Sequence, residues 1–169
     1  MRYLVKQKIF SIGDKFTIRD ENENPVYQVV GKVFTIGKKL DLYDMDDQHL
    51  AYIEQKIFRF LPEYYIYRDE ELLAQVKKEF TFFKPRFNID SHYGNFTIEG
   101  NIFAHEFNIL KNGRTVAWIS KKWISWSDTY TVDINDDEDQ AFILSLVIVL
   151  DQVHHDNKGG GHAHNHSNN

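Results

Sequence analysis

The stretch that decides the fold reads Asn135-Asp136-Asp137-Glu138-Asp139-Gln140, then Ala141-Phe142-Ile143-Leu144-Ser145-Leu146-Val147-Ile148-Val149-Leu150, then Asp151-Gln152-Val153-His154-His155. Its acidic start offers N-cap residues and negative charge to the positive end of a helix dipole, and Asp137 with Gln140 three residues on makes a capping-box-like pair. A helix is therefore expected over residues 137–153. Apart from Ser145 its middle is apolar all round, and a helix without a polar face must be buried on every side. The rest of the chain has to supply the enclosure.

Upstream of Ile134 the dominant period is two: Phe16 and Ile18, Leu40 and Leu42, Tyr65 and Tyr67, Phe87 and Ile89, Phe96 and Ile98, Phe107 and Ile109, Tyr130 and Val132. Each pair reads as a half-buried strand. Turn signals separate them at residues 21–25, 44–48, 68–71 and 93–95 and at Asn112-Gly113, the spacing of hairpins in an antiparallel meander. A lone apolar helix that follows a run of strands is buried on all sides only inside a barrel made by those strands. The fold expected is a mainly β chain: an antiparallel β-barrel around a central buried C-terminal helix.

Internal repeats support the strands. Val29 to Val33, Ile53 to Ile57, Val76 to Phe80 and Ile119 to Trp123 superimpose, and Tyr27, Ala51, Ala74 and Ala117 stand two positions before them. Leu72, Leu73, Val76 and Phe80 also fit helical spacing, and the alignment with the other repeats decides for a strand. The repeat places Ala51, Ile53, Ile57, Ala74, Val76, Phe80, Ala117, Ile119 and Trp123 inside the barrel. Lys56, Glu79 and Lys122 then face solvent, and Lys78 and Lys121 lie near a barrel mouth.

A chain of 169 residues fits one domain, expected over residues 1–155, with a disordered Gly/His/Asn-rich tail at 156–169. Aromatic residues make up 15%, which favours half-buried pleated surfaces over helices. A net charge of −5 argues against broad nucleic-acid binding, which needs a basic surface. There is no Cys, so thiolate chemistry, disulfides and cysteine-held metals are excluded, in keeping with a reducing, cytoplasmic setting. The N-terminus lacks the apolar core of a secretory signal, and the apolar run 141–150 is half of the ~20 residues a spanning helix needs. No transmembrane segment is expected.

Motifs that carry chemistry are scarce. No glycine-rich phosphate loop and no Gly-x-Ser-x-Gly elbow occurs. His105-Glu106 lacks the second His of a zinc helix, since Ile109 holds that position, so His105 reads as a satisfied barrel histidine on a strand. Asp133, Asn135, Asp137 and Asp139 imitate the alternating oxygen ligands of a calcium loop, yet the loop's Gly and bidentate Glu are replaced by Glu138 and Leu144. Helix capping accounts for these acids, and Asp41, Asp44, Asp46 and Asp47 read as a solvated turn. The tail histidines, His162, His164 and His166, read as solvated. No metal or cofactor is expected.

The basic residues are different, because Lys32, Lys56, Lys77, Lys78, Lys121 and Lys122 recur at nearly one place in successive repeats. Neighbouring strands can gather them into a ligand-binding patch. The alternative is that they protect strand edges and keep the chain soluble.

Residues 107–113, Val116-Ala117-Trp118-Ile119-Ser120-Lys121-Lys122, Asp128-Thr129-Tyr130-Thr131-Val132 and the apolar run that ends at Asp151 resemble the LURP-one-related family. The resemblance extends over about residues 5–155 and is strongest from Phe107 onward. It implies a closed barrel of roughly twelve strands around a central helix, the fold shared with the tubby C-terminal domain and the phospholipid scramblases. It implies no catalytic residues. Tubby domains bind phosphoinositides through basic barrel residues and scramblases bind calcium and membranes, but none of those ligand residues carries over by motif. The scramblase cysteines and apolar segment are lacking too.

The function expected is a non-enzymatic binding module, peripheral at anionic phospholipid headgroups or docked on a protein partner. An enzyme of unrecognised type and a protein–protein scaffold are the alternatives.

Overall fold

A computed structural model of the chain describes residues 1–6, 15–82, 85–121 and 129–159, with side chains to residue 154. Twelve strands occur in it: β1 (Arg2–Lys6), β2 (Lys15–Asp20), β3 (Pro25–Gly31), β4 (Lys39–Asp44), β5 (His49–Gln55), β6 (Glu63–Arg68), β7 (Glu71–Lys78), β8 (Phe87–Ser91), β9 (Phe96–Asn101), β10 (Glu106–Lys111), β11 (Arg114–Ser120) and β12 (Thr129–Ile134). Each pairs antiparallel with its sequence neighbours, and β1 pairs with β12, Val5 opposite Tyr130, to close the barrel. A short 3₁₀ turn (Ile102–Ala104) joins β9 to β10. The helix α1 (Gln140–Gly159) follows β12.

Alternation decides which side chains meet α1. Val29, Leu42, Ala51, Ile53, Ile66, Ala74, Val76, Ile109, Ala117, Ile119 and Val132 are all buried and form one cluster with Phe142, Leu146 and Val149 of the helix. Every residue from Ala141 to His154 is buried, so the helix is enclosed all round over that span. Its one mid-helix hydroxyl, Ser145, satisfies itself by donating to the Ala141 carbonyl at 2.8 Å. Glu71–Lys78 is a strand, as the repeat requires.

Three expectations need correction. The helix starts at Gln140, because Asp139 is the cap: its Oδ1 accepts the Phe142 amide at 2.9 Å, while Gln140 Nε2 donates to the Asn135 and Glu138 carbonyls. It also passes residue 153, since no Gly or Pro occurs before Gly159, so residues 156–159 are helical and the rest of the expected tail lies outside the described residues. Finally, Ile57 and Phe80 are exposed, because β5 stops at Gln55 and β7 at Lys78, and the chain turns away before reaching them. Trp123 lies outside the described residues.

The two mouths of the barrel differ in kind. Odd-numbered strands end, and even-numbered strands begin, at one mouth, where among the described residues longer loops include 32–38, 56–62 and 79–82 with 85–86. The other mouth, where α1 enters, carries short acidic turns at residues 21–24, 45–48, 69–70 and 135–139. These are called below the loop rim and the turn rim.

Candidate functional site

On β6 the inward positions are Tyr64 and Ile66, so Tyr65 and Tyr67 project outward, and Tyr52 on β5 joins Tyr67 at a ring separation of 5.9 Å. Two repeat lysines lie on this tyrosine surface. Lys32 Nζ is 4.8 Å from the Tyr52 ring centre, and Lys56 Nζ is 4.4 Å from that of Tyr65 and 5.7 Å from that of Tyr67. Beside them is an open concavity of about 450 Å³ that also takes in Asp41, His49 and Glu54. Asp41 binds Lys32 at 3.1 Å and His49 Nε2 at 3.0 Å. It is a buried strand residue, not part of a solvated turn. Asp44 does serve the turn, accepting the amides of Asp46 and Gln48.

Three ionisable groups of the groove are shifted by their neighbours. A hydrogen bond from Lys56 at 2.6 Å keeps the Glu54 carboxyl below its ordinary range and the lysine above its own. Burial, with the charge of Glu54 beside it, pushes the Tyr52 phenol up. All three shifts run away from neutrality.

The expected lysines gather unevenly. Lys32, Lys56, Lys77 and Lys78 stand at the ends of β3, β5 and β7, strands that run the same way, so all four share one arc of the loop rim. Lys121 follows β11 and reaches the same rim across the mouth. Lys122 lies outside the described residues. Acids accompany the arc: Glu54 for Lys56, and Glu63 at 3.8 Å for Lys77.

A family model described as LURP-one-related matches residues 1–151. The chain belongs to this family. The chain is 35% identical over 149 residues, 88% of its length and 91% of the other, to the uncharacterized protein YxjI of Bacillus subtilis strain 168. A crystal structure of an Arabidopsis thaliana protein is similar in fold, with a TM-score of 0.65, 20% identity and 90% of each chain covered.

In this LURP-one-related barrel the four calcium-like residues are directed to four different partners. Asp133 binds Arg2 at 2.7 Å, Asn135 donates to the Thr115 carbonyl, Asp137 binds Arg114 at 2.7 Å, and Asp139 caps α1 while binding Arg68. Among the described residues no three His or carboxylate groups are arranged to hold a metal ion.

Sequence reasoning missed the surroundings of His105. It is buried as expected, but it ends the 3₁₀ turn with φ at +53° and is not on a strand. Its Nε2 lies 2.7 Å from Asp151 Oδ1, and its ring stacks on Tyr130 at 4.5 Å. Asp151, which follows the apolar run within α1, thus ties the helix to the chain before β10. A polar residue that closes an apolar run was the available signal. Likewise Tyr65 and Tyr67, flanking the inward Ile66, could have marked an aromatic outer face.

Proposed function

We propose that this LURP-one-related chain is a non-enzymatic module that binds anionic phospholipid headgroups peripherally from the cytoplasmic side, through the lysine arc of its loop rim. The observation that carries the reading is the convergence of Lys32, Lys56, Lys77 and Lys78 at one mouth of the barrel. The net charge of −5 does not oppose it, because the turns at the far mouth hold much of the negative charge, among them Asp46, Asp47, Asp69, Glu70 and Asp136. Lys32 and Lys77 are about half exposed, so their ammonium groups are within reach of a surface applied to the rim. Each lysine near an anionic surface contributes about 1 kcal/mol.

Co-sedimentation with vesicles of phosphatidylserine and phosphatidylcholine, against phosphatidylcholine alone, tests the reading at low and high salt. Binding to the anionic vesicles is expected and should weaken with salt, since the attraction decays over a Debye length of about 8–10 Å. Lys32→Gln, Lys56→Gln and Lys77→Gln together should abolish it in a chain that circular dichroism shows to be folded. A chain that ignores anionic vesicles at low salt refutes the reading and leaves a protein partner in its place.

A further inference from the structure

The loop rim combines its lysines with a second feature. Twelve large apolar side chains are exposed among the described residues, and eight of them stand on its three long loops: Val33, Phe34 and Ile36, then Ile57, Phe58 and Phe60, then Phe80 and Phe82. Phe34 is fully exposed, Phe58 94%, Phe60 93% and Phe82 85%. Soluble surfaces seldom gather so many large rings in one place without a use for them.

The loops are built to hold these rings outward. Lys32-Val33-Phe34 and Lys56-Ile57-Phe58 occupy the same place in two hairpins, and Phe34 and Phe58 both take a left-handed backbone, φ +57° and +59°, that bulky residues seldom adopt. Hydrogen bonds brace each loop at its base. The Lys32 amide donates to the Lys39 carbonyl, that of Lys56 to Glu63 and that of Glu79 to Arg86, all within 2.8–2.9 Å. Neighbouring loops are also joined: the Gln55 amide donates to the Lys38 carbonyl, and that of Lys78 to Pro62. A Cβ on Gly37 would come within 2.8 Å of Ile57, which shows how closely the first two loops approach. The rings therefore stand on a fixed platform across three adjoining strand pairs.

Charge identifies what the platform meets. The described residues of the three loops include Lys32, Lys38, Lys56, Arg59 and Arg86 against one carboxylate, Glu79, while Asp41, Glu54 and Glu63 on the strands below pair with Lys32, Lys56 and Arg59. A second copy applied face to face by a two-fold axis would set these cations against one another. A sheet of anionic headgroups over an apolar layer accepts both at once, the cations at the phosphates and the rings beneath them.

We infer that Phe34, Phe58, Phe60 and Phe82 insert into the headgroup–acyl boundary of an anionic phospholipid bilayer while the rim cations contact its phosphates. This deepens the lipid reading above and rests on it. Electrostatic attraction supplies the salt-sensitive part of binding, and the rings supply a part that salt does not remove.

The test uses the full chain and vesicles of phosphatidylserine and phosphatidylcholine. Phe34→Ser, Phe58→Ser and Phe60→Ser together should weaken co-sedimentation at least about tenfold and remove the binding that persists at high salt. The melting transition should stay unchanged, because these rings lie outside the core. Since the chain has no Cys, Phe60→Cys can carry a single environment-sensitive fluorophore, with Asn22→Cys on the turn rim as control. The probe at 60 should brighten, shift to the blue and be quenched by acyl-chain quenchers, and the probe at 22 should not respond. If the chain binds but the probe at 60 stays in water and the serine variant binds equally well, insertion is wrong and the electrostatic reading stands. Absence of binding at any salt overturns both. A serine variant that turns a dimer into a monomer with vesicle binding intact makes the rings an interface between copies and overturns insertion.

Discussion

Arg68 grips Asp139 with two hydrogen bonds, Nη1 to Oδ2 at 2.7 Å and Nη2 to Oδ1 at 3.1 Å, so a side chain of the barrel wall holds the residue that caps the central helix. The Tyr93 hydroxyl joins at 3.2 Å. The helix is thus fixed where it enters the barrel, by the same carboxylate that accepts its Phe142 amide.

Replacing that carboxylate should separate its two roles. Asp139→Asn keeps a cap and loses the charge, at a cost of about 1.5–3 kcal/mol. Asp139→Ala loses the cap as well and should cost about 1 kcal/mol more. Urea unfolding at neutral pH measures both. Equal stabilities for the two variants would show that the cap contributes nothing.

The same pair sets a pH dependence. Burial pushes the Asp139 carboxyl up, but the Arg68 hydrogen bonds and the Phe142 amide outweigh it and leave it below its ordinary value. A carboxyl depressed on folding adds stability that is fully present above the unfolded value, about 3.9, and is lost as pH falls through the folded value. The stability gap between the natural chain and Asp139→Asn should therefore be constant near neutrality and close below about pH 4. A gap that widens as pH falls contradicts the assigned direction.

Leu146 is fully buried in the middle of α1, facing the wall on the barrel's axis. Leu146→Asp would place an unpaired charge there, at a cost of several kcal/mol even after relaxation, comparable to the whole stability of a domain. The variant should be unfolded or insoluble. A soluble Leu146→Asp chain with a cooperative melt would mean that the helix does not fill the barrel.

Tyr130 makes the opposite prediction. Its hydroxyl is buried without a hydrogen-bond partner among the described residues, and burial, with the charge of Asp151 nearby, holds the phenol well above its ordinary pKa. Tyr130→Phe keeps the ring stacked on His105 and removes the unsatisfied group. Thermal melting should show a neutral change or a gain of about 1 kcal/mol. A loss above 2 kcal/mol would reveal a partner for the hydroxyl.

By itself the sequence determined the architecture. An apolar run with no polar face admits only full enclosure, and strands of period two are what can enclose it. The four-fold repeat settled Glu71–Lys78 as a strand against its helical spacing, and it placed the inward alanines beside α1. These are local properties, written in the order of residue types. What the tertiary structure alone decided is where strands stop and which charges meet. Ile57 and Phe80 continue the inward pattern in sequence, yet two residues beyond the strand end they are exposed, because facing persists only while the pairing does. Asp41 resembles its turn neighbours in composition, but its burial depends on Lys32 and His49, which reach it from β3's end and from β5. The opposition of a basic, aromatic rim to an acidic one arises from strand direction. Loops on alternate connections become neighbours only when successive hairpins pair side by side, so no reading of one segment at a time assembles them.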